Sequence, residues 1–159
     1  MSTDSETLVN SSSDRGDYLD LGYISPVDAP IKITSEIGRR WGRKHKGQDI
    51  DTEAGVVVRS CSPGNGQVIF VEPKDIGDFG KHVRVKIDGA VIIYAHLQEI
   101  ADGITKGAIV EQGRPLGKVG STGSVTPGLG GDGSHLHIEF TNTDPDFKTP
   151  IFGHKQRKT

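Results

Sequence analysis

The chain has 159 residues, enough for one domain with a buried core and tails. A net charge of −2 gives no global field to recruit nucleic acid, the single cysteine excludes an internal disulfide, and no apolar run approaches the ~20 residues that span a bilayer. The 22 glycines and 8 prolines, with plentiful Val and Ile and no long helical periodicity, predict short strands joined by tight turns, an all-β chain.

Residues 1–24 are rich in Ser and Asp and are expected to form a flexible acidic leader. Met1 to Glu6 lacks the basic and apolar regions of a secretory signal, so synthesis in the cytoplasm is expected, with action at the cell wall requiring another route out. The domain is expected over 25–150 and a basic, solvated tail over 151–159. Ile31–Ile37 alternates and reads as the first strand. The basic segment from Arg39 to Lys46, with Trp41, reads as a solvated loop rim rather than a phosphate or RNA patch. His45 and Asp49 stand four apart; Gly42 and Gly47 argue against a helix, and on an extended segment the two share a face.

Cys61 follows the apolar run Val56–Val58 and reads as a buried thiol. Gly64-Asn65-Gly66 signals a turn into the strand Gln67–Val71, and 72–80 reads as a surface loop. Val83–Ile87 alternates strictly, and Asp88-Gly89 predicts a type I′ hairpin into Ala90–Leu97, with His96 on the face of Tyr94 and Ile92. His82 and His154 read as structural residues. Two short strands flank a turn at Gln112-Gly113. Gly120–Gly123 reads as a tight turn, because no Gly-Lys-Ser/Thr and no helix follows it. A glycine-rich loop, 124–134, leads into the alternating segment Gly133–Phe140. There His135 and His137 share one face, while Leu136 and Ile138 point to the other, into a core.

Three separate places thus offer metal ligands or bases: His45 with Asp49, His96, and His135 with His137. A catalytic zinc takes three protein ligands and keeps a fourth position open. It polarises a carbonyl and lowers the pKa of water to about 7. His45, Asp49 and one histidine of the 135/137 pair satisfy that count. The other, with His96, would act as general base and as stabiliser of the oxyanion or proton donor to the leaving amine, in metal-assisted amide hydrolysis. Spacing alone leaves open which member of the pair binds metal.

His45-Lys46-Gly47-Gln48-Asp49, Tyr94-Ala95-His96-Leu97 and His135-Leu136-His137 occur in the order H-x-x-x-D, Y-x-H-L, H-x-H. In this the chain resembles the lysostaphin/LytM-type (β-lytic) zinc metallopeptidases over roughly residues 37–140. The resemblance implies a compact antiparallel, sandwich-like β-domain with one zinc ion in a groove between loops. It implies zinc on His45, Asp49 and His137, with His96 and His135 as the catalytic pair. The implied substrate is a peptide bond of bacterial peptidoglycan, in its stem or cross-bridge, with D-alanyl–meso-diaminopimelate as the working choice. A small domain of this kind suggests a phage endolysin or virion-borne hydrolase, expected as a monomer with no nucleic-acid partner. A ligand-depleted regulatory module and a structural virion component are the competing readings; retention of all five residues speaks against the first. Lysostaphin-like relatives carry a tyrosine nine residues before the first ligand; here Glu36 stands there, leaving oxyanion support to Tyr94 or another group.

Overall fold

The computed structural model describes residues 15–35, 38–40, 43–45, 47–123 and 134–153, with side chains left undescribed from 34 to 46. Every regular element among these residues is a strand. In chain order they are β1 (Arg15–Asp17), β2 (Ile33–Ser35), β3 (Gly38–Arg40), β4 (Arg43–His45), β5 (Gly47–Asp51), β6 (Val57–Arg59) and β7 (Asn65–Glu72). There follow β8 (Lys81–Ile87), β9 (Ala90–Ile100), β10 (Ile109–Glu111), β11 (Pro115–Val119), β12 (His135–Asn142) and β13 (Thr149–Ile151). The all-β expectation holds. A nine-stranded sheet runs β10-β7-β8-β9-β12-β5-β2, with β11 joining the far end of β9 to β6. All its pairings are antiparallel.

Period-two alternation decides which face is which. Val83, Val85 and Ile87 of β8, Ile92 and Tyr94 of β9, and Leu136 and Ile138 of β12 enter one core cluster. Arg84, Ile93, Ala95, His137 and Glu139, out of phase with these, lie on the opposite face, which holds the candidate site.

Three expectations are corrected. Residues expected in the leader belong to the fold from Arg15 on: β1 pairs in parallel with β13, and Tyr23 is buried in the core. Phe152, expected in the tail, is buried as well, stacking with Phe140 and accepting the Gln48 side-chain amide at its carbonyl. Both segments carry aromatic rings whose burial outweighs the cost of ordering a short polar stretch. At the β8–β9 turn only Gly89 has positive φ (93°), so the turn is not type I′, which needs both central residues there. Residues 1–14, residues 124–133 of the segment expected as a glycine-rich loop, and residues 154–159, including His154, lie outside the described residues, as do Glu36, Trp41 and Lys46.

Candidate active site

Strand register assembles the site. On β12, His137 stands opposite Asp49 of β5 on one side and Ala95 of β9 on the other. His135 stands opposite Asp51, and Glu139 opposite Gly47 and Ile93. The H-x-H face therefore meets the D of H-x-x-x-D across a single strand spacing. His137 Nδ1 lies 2.7 Å from Asp49 Oδ1, and His135 Nε2 lies 3.7 Å from the same oxygen. The other ring nitrogen of His137, Nε2, donates to Glu139 Oε1 at 3.0 Å.

Gly47 makes this packing possible. A Cβ at that position would meet the Ile138 carbonyl oxygen at 2.5 Å and His137 Cε1 and Nε2 at 2.9 Å each. The imidazole lies flat against a backbone that has no side chain to offer. Burial opposes a charge on His137, but the hydrogen bonds and charges of Asp49 and Glu139 outweigh it and pull the pKa up to about 9. The two carboxylates flank the ring, one at each nitrogen.

His96 reaches the same place by breaking the strand pattern. Strict alternation would put it beside Tyr94 and Ile92, and that expectation is overturned. His96 has φ 66°, the only positive φ at a non-glycine among the described residues, in a bulge where the β8–β9 and β9–β11 registers both shift. Its backbone N–H donates to the Phe79 carbonyl and its carbonyl accepts from Gly120. Leu97 takes the core position that alternation would assign to His96. The His96 ring then lies 4.8 Å from that of His135 and 5.9 Å from that of His137. Its Nδ1 donates to the Thr122 carbonyl at 2.7 Å, so the neutral ring keeps its lone pair on Nε2. Burial, and next the neighbouring His135, lower its pKa to about 4.

Thr122 is itself clamped: its hydroxyl donates to the Leu97 carbonyl at 2.7 Å and accepts from the Lys81 N–H at 3.1 Å. Gly120–Gly123, expected as a tight turn, instead continues from the Gly120–His135 bridge as irregular backbone ending in a bend at Gly123, and its Thr122 carbonyl orients His96. Tyr94 is corrected as a source of oxyanion support. It is fully buried on the core face, its hydroxyl 3.2 Å from the Cys61 N–H and 3.3 Å from Cys61 Sγ. Cys61 is buried, as expected, and burial pushes its thiol up to about 12.

Sequence reasoning missed Glu139 and Phe79, and it read Gly47, Thr122 and His82 only as turn or structural residues without placing them at the site. Glu139 continues the H-x-H alternation by two residues, which was the available signal. Phe79 and His82 carried none: the Phe79 ring stacks on His137 (5.9 Å, 26°), and His82 sits 5.3 Å from Phe79, contacts that a loop and a neighbouring strand create in space.

The described side chains supply two donors to the expected metal, Asp49 and His137; no three of the described side chains are placed to hold one ion together, and His45 has only its backbone described, opposite Gly38. The donors fit a zinc ion in kind, an imidazole nitrogen beside a carboxylate oxygen. The second nitrogen of His137 is held by a carboxylate, the usual partner of a metal-binding histidine.

Residues 43–149 match the model of Peptidase family M23. The L-Ala–D-Glu endopeptidase of Bacillus subtilis (strain 168) is 34% identical over 132 residues, covering 76% of this chain. The chain spans 38% of that relative's length. Among solved structures, the catalytic domain of the prophage-encoded M23 protein EnpA from Enterococcus faecalis superposes with a TM-score of 0.58 at 28% identity, over 76% of this chain and 87% of that one. A zinc-containing peptidase from Vibrio cholerae gives 0.60 at 30% identity, over 74% of this chain and 36% of that one. With the order of its histidine motifs and the matched length in agreement, the chain belongs to Peptidase family M23.

Proposed function

We propose that this chain is a zinc-dependent endopeptidase that hydrolyses a peptide bond in bacterial peptidoglycan. The observation that carries the reading is the convergence of Asp49, His96, His135 and His137 on one sheet face, with one histidine held by carboxylates and another pinned in a single tautomer. Zinc, when bound, would supply Lewis-acid activation of water and of the scissile carbonyl. His45, Asp49 and His137 are the residues that would hold it. Glu139 orients His137 through Nε2. His96, with its proton locked on Nδ1, presents Nε2 as the acceptor or donor at the scissile bond. His135, beside His96 and within reach of Asp49, completes the pair that takes a proton from the nucleophile and returns one to the leaving amine.

The Bacillus relative is named for the L-Ala–D-Glu bond of the stem, and this joins D-alanyl–meso-diaminopimelate as a candidate. The prophage origin of EnpA keeps a phage-encoded lysin as the proposed setting. No helix of the described residues is long and apolar enough to cross a membrane. The test is digestion of purified peptidoglycans of several wall types with zinc-loaded protein, followed by mass spectrometry of the released peptides. The expected result is one class of new amino terminus, abolished by chelator and restored by zinc. Hydrolysis undiminished after metal removal would refute the zinc mechanism, and inactivity on every wall type would refute the peptidase reading.

A further inference from the structure

Beyond the histidines, the same sheet face carries a guanidinium, Arg84, that makes no ion pair among the described residues. Arg84 stands opposite Ile93 on β9 and Phe70 on β7. Its Nε–H donates to His82 Nε2 at 3.2 Å, while His82 Nδ1 donates to the Gly80 carbonyl at 3.0 Å, so a neutral His82 fixes the guanidinium from behind. The guanidinium lies over the Phe70 ring at 5.2 Å and the Phe79 ring at 5.8 Å, and Phe79 in turn stacks on His137. Among the described residues, nothing accepts from its two terminal amino groups and no carboxylate lies within ion-pair distance. Two carboxylates of this face are engaged elsewhere: Glu72 accepts the Lys74 N–H, and Glu139 accepts from His137. Phe70 is 41% exposed, an aromatic surface left open beside a charged fork.

A guanidinium oriented by its Nε and flanked by rings presents its terminal amino groups as a planar, bidentate receptor for a carboxylate. Arg84 is two strand spacings and one side-chain step from His137, roughly 12 Å between Cα atoms. An extended peptide rising ~3.4 Å per residue covers that in three or four residues, and the side chains shorten it. We propose that Arg84 recognises a free carboxylate of the bound peptide, within about three residues of the bond cut. This rests on the peptidase reading and deepens it: the substrate is an acidic peptide, and amidating the recognised carboxylate protects it. In a wall stem peptide the carboxylate could belong to γ-linked D-glutamate or to meso-diaminopimelate.

The test uses zinc-loaded protein and three synthetic stem peptides: free acid, amidated at the D-glutamate α-carboxyl, and amidated at the diaminopimelate side-chain carboxyl. For the wild type, one amidation is expected to lower kcat/KM by about 10- to 100-fold, the worth of a charge-assisted hydrogen-bonded pair, and it identifies the source. Arg84→Met is expected to bring the acid-to-amide ratio close to one, with Arg84→Lys in between. Arg84→Gln provides a second uncharged variant should Arg84→Met unfold. A wild type indifferent to both amidations, or uncharged variants that keep its ratio, would overturn the proposal. If the wild type cuts none of the three, digestion of whole peptidoglycans decides about the peptidase reading, and titration of the free-acid peptide followed by NMR still decides about Arg84. Weaker binding by Arg84→Met supports the receptor; equal binding, or none to the wild type, overturns it.

Discussion

Replacing Gly47 by Ala tests whether the site depends on a bare backbone beneath His137. The new methyl carbon would lie 2.9 Å from His137 Cε1 and Nε2 and 2.5 Å from the Ile138 carbonyl oxygen. Carbon contacts settle near 3.5–4.0 Å, so the ring would have to retreat by about 0.6 Å or more. The carbonyl belongs to the β12 backbone and cannot rotate away. Overpacking of this kind costs about 1–3 kcal/mol of stability. A displacement approaching 1 Å at a reacting centre costs about 100-fold in rate. Gly66→Ala is the control: its Cβ would meet Val85 Cγ1 at 2.5 Å on the core face, away from the histidines. Both variants are expected to shift the urea midpoint down. Gly47→Ala alone is expected to weaken zinc binding, by about 10- to 100-fold in a chelator competition, because it moves a ligand whose orientation matters. Wild-type zinc affinity in Gly47→Ala, or equal losses of affinity in both variants, would refute the account.

Other expectations follow from the same face. His137→Ala should lose both metal and activity, whereas His135→Ala should keep the metal and lose activity; equal zinc content in the two, measured by elemental analysis, would refute the assignment within the pair. Glu139→Gln should weaken zinc binding about 10-fold or more by loosening His137, read by chelator competition, and unchanged affinity would show that Glu139 does not orient the ring. Because Asp49 and Glu139 outweigh burial and raise the His137 pKa to about 9, metal entering at Nδ1 must displace a proton below that pH. Apparent zinc affinity should therefore rise with pH up to about 9, with about one proton released near pH 7 by calorimetry in buffers of different ionisation heat; absence of proton release would refute this. In the metal-free protein the sign for folding is opposite: the raised pKa contributes stability below about pH 6.5 that is lost as pH rises through about 9. Cys61, buried and with its thiol pushed up to about 12, should resist a thiol reagent at pH 8 until the protein is unfolded; rapid labelling of the native chain would contradict its burial.

Local rules made part of this legible. Alternation of polar and apolar residues is a property of a strand by itself, so the shared face of His135 and His137, and the burial of Leu136 and Ile138, could be read from eight consecutive letters. The position of His96 could not be read that way. A bulge changes the phase of a strand, and the clue was only that Leu97, a better core residue than histidine, follows it. Tyr94 went astray for the same reason: one slip of phase separates a residue facing substrate from one bonded to Cys61 in the core.

The sequence by itself determined the all-β class and the shared face of His135 and His137, because residue type and period-two spacing are local. Only the tertiary structure decided how those residues are held. Gly47 lies under His137 because β5 pairs with β12 in one register, and Glu139 takes the far nitrogen of that ring. Thr122 pins His96 because the segment after β11 is hydrogen-bonded to β9 through Gly120 and the Thr122 hydroxyl. Arg84 stands beside Phe79, with no ion pair among the described residues, because β8 lies next to β9, and no window of sequence contains that neighbourhood.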